Sequence, residues 1–71
     1  MNKQNRTFTV IELDNASSAR DIMLPSSETV EVLDITTRAV LRMKAKDVSM
    51  YRHTLHMHGK NFNIVNIWDS M

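Results

Sequence analysis

Three imidazoles fall within six residues of this chain, at His53, His56 and His58. Histidine is the commonest metal ligand in proteins. A cluster this dense has the composition of a zinc site, with Asp47 or Asp69 as the fourth ligand. Strand geometry opposes that reading. Successive side chains on a strand point to opposite faces, so His56 and His58 share one face and His53 takes the other. The pair binds a metal only if another strand or another copy supplies the missing ligands. Otherwise these histidines lie on a wet face or an interface. On this reading no metal and no cofactor are assigned.

Other chemistries have less support. The serines stand in loop-like stretches without a Gly-x-Ser-x-Gly turn, which a nucleophile elbow needs. There is no cysteine, so Cys–His catalysis, disulfides and thiolate metal sites are excluded. Gly59 is the only glycine, and a phosphate-cradling loop needs several. No pair of carboxylates stands out. The expectation is a protein that is not an enzyme.

The histidines belong to a segment that folds back on itself. With Gly59-Lys60 as a two-residue turn, Met57 faces Phe62, Leu55 faces Ile64 and Tyr51 faces Trp68. His58 then faces Asn61 and His56 faces Asn63. Apolar meets apolar and polar meets polar, as a sheet with one dry and one wet face requires. Glycine in the first turn position suits a type II′ hairpin. Strands are expected at about 51–58 and 61–68, with Leu55, Met57, Phe62 and Ile64 buried. Beyond Ile64 the apolar parity shifts to Val65 and Ile67, which a bulge near Ile64-Val65 explains.

Upstream, residues 1–6 are polar and expected to fray, and Thr7–Leu13 (TFTVIEL) reads as a strand. Residues 14–27 (DNASSARDIMLPSS) read as a long connecting loop, with a weak helical turn across Ala16–Met23 and a stop at Pro25. From Glu28 to Lys46 the spacing predicts one long strand, or two separated by a bend. Leu33, Ile35, Thr37, Ala39, Leu41, Met43 and Ala45 take one side; Asp34, Thr36, Arg38, Val40, Arg42, Lys44 and Lys46 take the other. Lys46–Ser49 then turns the chain into the hairpin. The fold class is all-β: a single small domain over residues 1–71, a barrel or coiled sheet of four to five antiparallel strands with a C-terminal hairpin and one long loop.

A chain of 71 residues buries only about 60% of its unfolded surface, so a lone core is marginal. With disulfides excluded, oligomerisation is the expected support. No apolar run approaches the roughly 18 residues of a membrane span, and MNKQNRTF has no signal-peptide core. The net charge is +1, yet the two halves differ. Residues 1–34 carry three basic and six acidic side chains, whereas residues 35–71 carry six basic and two acidic ones. The sharper reading of that asymmetry places an acidic patch (Glu28, Glu31 and Asp34) against a basic strand of a neighbour (Arg38, Arg42, Lys44 and Lys46). The plainer one is a solvated face. The same basic strand, with Arg52 and Lys60 nearby, admits loose contact with nucleic acid. Stacking aromatics are too few for sequence-specific binding, because Tyr51, Phe62 and Trp68 read as core. Among six methionines, Met43 and Met57 occupy core positions. Met23-Leu24 is an apolar tip that docks on a neighbour or packs over the barrel mouth.

From Thr36 to Trp68 the chain resembles the bacteriophage head-tail joining (head-closure or stopper) proteins. A strand with an alternating basic face, TTRAVLRMKAK, leads through a short turn to the hairpin YRHTLHMHGKNFNIVNIWD. Arg42 falls where such proteins carry a strand arginine. Gly59-Lys60, Phe62, Ile64 and Ile67 fit the hairpin that ends their barrel, and TFTVIEL fits its opening strand. The resemblance implies a structural virion protein of the phage neck, made in the host cytoplasm. It would form a homo-oligomeric ring between the portal or adaptor and the tail proteins. Its loops would help retain packaged DNA, through non-specific contact and without a membrane partner. The alternative reading is a small SH3-like or OB-like barrel that acts as an adaptor or nucleic-acid-binding module.

Overall fold

The computed structural model describes residues 4–13 and 15–70, with side chains at 4–13 and 18–70. Six antiparallel strands form one open sheet: β1 (Asn5–Glu12), β2 (Asn15–Pro25), β3 (Thr29–Asp34), β4 (Val40–Lys44), β5 (His53–Met57) and β6 (Lys60–Ser70). Their spatial order is β2-β1-β6-β5-β3-β4. A single 3-10 turn, Ala45–Asp47, lies between β4 and β5. The all-β class expected from the sequence is therefore observed, as an open sheet of six strands. No helix among the described residues is long and apolar enough to cross a membrane.

β1 is central because both of its edges are paired, with β2 on one side and β6 on the other. Its alternating Thr-Phe-Thr-Val sequence sends Phe8 and Val10 into the core, where both are fully buried. Val32, Ala45, Val48, Leu55, Phe62 and Ile64 complete that core, and Ile22, Leu24, Val30, Met43, Met57 and Ile67 pack against it. The placement of Met43 and Met57 at the core is as expected.

The hairpin forms, but it turns one residue earlier than its spacing predicts. His58 and Gly59 occupy the turn with φ of 54° and 74°, the pair of positive values that defines a type I′ connection. Histidine enters the left-handed region more readily than most residues. Phe62 therefore stands opposite Leu55, and Lys60 opposite Met57. The register differs by two, and side chains alternate with a period of two, so every residue keeps its face. The bulge is also where parity places it: Thr9 pairs with Asn66 and Val10 with Ile64, leaving Val65 extra. That extra residue returns Ile67 to the face of Phe62 and Ile64.

Several expectations are corrected. Residues 15–25 pair along the length of β1 and make an edge strand, not a loop or a helical turn. Ile22 and Leu24 face the core from it, while Met23 is 63% exposed. Met23 thus sits within a strand, not at a loop tip. Asn5 and Arg6 already belong to β1; the rest of the segment expected to fray is residue 4, which precedes the strand, and residues 1–3, outside the described part. The 28–46 stretch is two strands separated by a bend, the second of its two readings. Its first half is reversed in facing: Val32 and Asp34 are buried while Ile35 is exposed. Tyr51 leaves the strand for a turn and is 88% exposed, and Trp68 is 40% exposed, so neither is core.

Two polar devices hold the bends. Asp34 is buried, and its Oδ1 accepts from the backbone N–H groups of Thr36 and Thr37 (2.9 and 3.1 Å) while Oδ2 accepts from Arg52 Nε (2.8 Å). A buried carboxylate is tolerable only when its lone pairs are satisfied in this way. Arg6 donates through Nη1 to the carbonyls of Ala45, Lys46 and Val48, and through Nε and Nη2 to the two oxygens of Asp69. One guanidinium therefore ties the 3-10 turn to β1 and β6.

Candidate metal-binding corner

The histidines are spread from the start of β5 (His53) to the β5–β6 turn (His58), and each imidazole meets a different environment. His53 is buried on the side of Leu55. Its Nδ1 accepts the Ser49 backbone N–H at 3.0 Å, so the ring proton sits on Nε2 and the acceptor nitrogen is already used. This histidine fastens the segment that leads into β5. Half-buried His56 stands opposite Asn61 across the hairpin. Its Nδ1 lies 2.9 Å from Asn61 Oδ1. An amide oxygen accepts, so Nδ1 carries the proton and Nε2 keeps a free lone pair. A backing hydrogen bond of this kind is how ligating histidines are oriented.

His58 is exposed and leaves the strand at the turn. Its left-handed backbone diverts it from the face that a straight strand gives it. It lines a hollow of about 260 Å³ together with Val10, Glu12, Arg20, Lys60 and Phe62. The expected sharing of a face by His56 and His58 therefore fails, because it rested on a turn one residue later. Among the described residues no group of three or more His, Cys, Asp or Glu could hold a metal ion. Asp69 is taken by Arg6, whose two hydrogen bonds hold its carboxyl below the ordinary value of 3.8. Asp47 stands in the 3-10 turn.

The basic and acidic residues expected to meet a partner are distributed differently. Arg38, Arg42, Lys44, Lys46 and Glu28 are exposed. Arg42, however, reaches Glu31 of its own chain at 3.3 Å, across the β3–β4 pair. Asp34 is no interface residue at all, since burial and Arg52 occupy it. Arg52 beside it, helped by the Thr37 and Thr36 N–H groups, holds its carboxyl below the usual carboxylate range against the opposing pull of desolvation. Leu24 is half-buried against the core and only Met23 of that pair is open to a neighbour.

The family model for multicopper oxidases matches residues 2–71. The chain belongs to that family. No curated protein and no solved structure matches it. The match overturns the resemblance to phage head-tail joining proteins and with it the structural role in a virion neck; the SH3-like or OB-like alternative has no support either. The shared features were an alternating basic strand and a hairpin ending in aromatic and β-branched residues. Small antiparallel sheets of unrelated function produce both.

The family implies copper, and the donor set fits it in kind but not in number. Imidazole suits copper, and thiolate is the other usual ligand of copper electron-transfer sites; this chain has no cysteine. With His53 engaged by Ser49, His56 and His58 are the imidazoles with nitrogen to offer. Two donors do not close a centre. The signal in the sequence was the histidine cluster itself; alternation put His56 and His58 on one face and His53 on the other, and the pair was set aside for want of further ligands.

Proposed function

We propose that this chain is a copper-binding β-domain of an oxidase, in which His56 and His58 supply part of a ligand set. The remaining ligands come from a second copy or from protein outside the described residues. The observation that carries this reading is the Asn61–His56 hydrogen bond, which fixes the tautomer and leaves Nε2 available, with the exposed His58 two residues further along the chain. The membership of the chain in the multicopper oxidase family supplies the identity of the metal. Copper, when bound, supplies one-electron oxidation and reduction. What the chain itself does is hold His56 and His58 on and beside a hairpin whose Leu55 and Phe62 face each other in the core.

The test is a calorimetric titration of copper into the protein, with His56→Ala and the His56→Ala/His58→Asn double variant beside it. An incomplete site gives fewer than one tight copper per chain, rising when chains associate, and loses tight binding in the double variant. Unchanged binding in the double variant would overturn the proposal. His58→Asn is chosen because Asn-Gly is the favoured sequence of a type I′ turn, so the hairpin survives the change.

A further inference from the structure

We infer that the hollow beside the turn is a binding site for a small organic carboxylate that needs no metal. It has Val10 and Phe62 at its floor, Glu12, Arg20 and Lys60 as its charged rim, and Ser18 and His58 completing the lining, so His58 is shared with the proposed copper ligands. At about 260 Å³ it lies just below the roughly 300–1,000 Å³ of ordinary ligand sites. A single-ring acid is of the right size. Arg20 is the decisive residue. Its guanidinium carbon lies 5.2 Å from the centroid of the Phe62 ring, within the range of a cation–π contact. Such stacking leaves the edge of the guanidinium, with its N–H donors, unused by the ring.

Four other cations near the sheet are paired. Arg6, Arg42, Arg52 and Lys60 each have a carboxylate partner within the chain, respectively Asp69, Glu31, Asp34 and Glu12. Among the described residues Arg20, like Arg38, Lys44 and Lys46, has none, and of these four it alone lines the hollow. Lys60 is held 3.0 Å from Glu12, so the rim carries two fixed positive charges against one negative. That single excess charge matches a monoanion. A guanidinium fork matches a carboxylate in particular, through two parallel hydrogen bonds. Val10 and Phe62 are almost wholly buried at the floor of the hollow, so recognition rests on the charged rim.

The test uses metal-free full chain and benzoate as the probe, followed by amide and ring chemical shifts in NMR. Benzoate is expected to bind in the millimolar range and to move the signals of Arg20, Lys60 and Phe62. Benzamide, of the same shape without the charge, is expected not to. Arg20→Gln weakens benzoate about tenfold, the scale of one lost charge-assisted hydrogen bond. Glu12→Gln strengthens it by about threefold, because the competing negative charge is gone. Both substitutions are at the rim, and the opposite signs of their effects separate binding from a loss of fold. Equal binding of benzamide, tighter binding of inorganic phosphate, or no response to either variant would overturn the inference. Because the protein is metal-free, such a failure leaves the copper reading untouched.

Discussion

His56 Nδ1 lies 2.9 Å from Asn61 Oδ1, between two residues that face each other across the β5–β6 hairpin. The pairing decides which imidazole nitrogen carries the proton, and thereby which one is free to bind. Its consequence is measurable. Asn61→Ala leaves His56 in place but removes the group that orients it, and loss of such a backing partner costs about 10–100-fold in metal affinity. The expected result is weaker copper binding with little change in melting temperature. Asn61→Asp, which accepts from the same ring N–H, should restore the affinity.

Phe62 is the principal buried residue of the hairpin, opposite Leu55 and beneath Arg20. Phe62→Ala should cost about 3–5 kcal/mol, the range for a truncated buried aromatic. Chemical denaturation would show this as a lower midpoint. A loss under about 1 kcal/mol would mean that the ring contributes little packing.

Arg6 makes a prediction about side-chain shape. Lysine keeps the positive charge but not the planar fork that serves three carbonyls and both Asp69 oxygens at once. Arg6→Lys is therefore expected to lose about 1.5–3 kcal/mol, the scale of one hydrogen bond to a charged group. Amide exchange should quicken first at Val48, which hydrogen-bonds within the turn that Arg6 holds.

Asp34 and Asp69 predict the acid limb of stability. Both carboxyls titrate below their ordinary value of 3.8 in the folded chain, chiefly through hydrogen bonds from Arg52 and Arg6 respectively. The unfolded chain therefore binds more protons than the folded one as pH falls through that region. Their contribution is complete above 3.8 and is lost as pH drops through the lowered folded values. Asp34→Asn should lower the melting temperature at neutral pH and flatten the decline below pH 4 or so. An unchanged acid limb would contradict the assignment.

The comparison of sequence and structure separates two kinds of information. Patterns with a period of two were legible: the hairpin, the faces of Leu55, Phe62 and Ile64, and the extra residue at Val65 all follow from alternation. The turn was not, because His58-Gly59 and Gly59-Lys60 satisfy the same alternation and only the left-handed φ of His58 decides between them. β2 was hidden by Pro25 and by Ser, Arg and Asp on an exposed edge strand, where polar side chains are tolerated. Its Ile22 and Leu24 already carried the alternation. Asp34 could not be read as buried, since its burial depends on Arg52, eighteen positions away. The proposed copper ligands were visible as histidines in the sequence, but which imidazole nitrogens are free depends on Ser49 and Asn61.

The central claim is that imidazoles of this chain bind copper, and electron paramagnetic resonance of the Cu(II)-loaded protein tests it most directly. The account predicts nitrogen superhyperfine coupling that is reduced in His56→Ala, reduced in His58→Asn and absent from the double variant, while His53→Gln leaves it in place. A spectrum with only oxygen ligands, or one unchanged in the double variant, would contradict the claim.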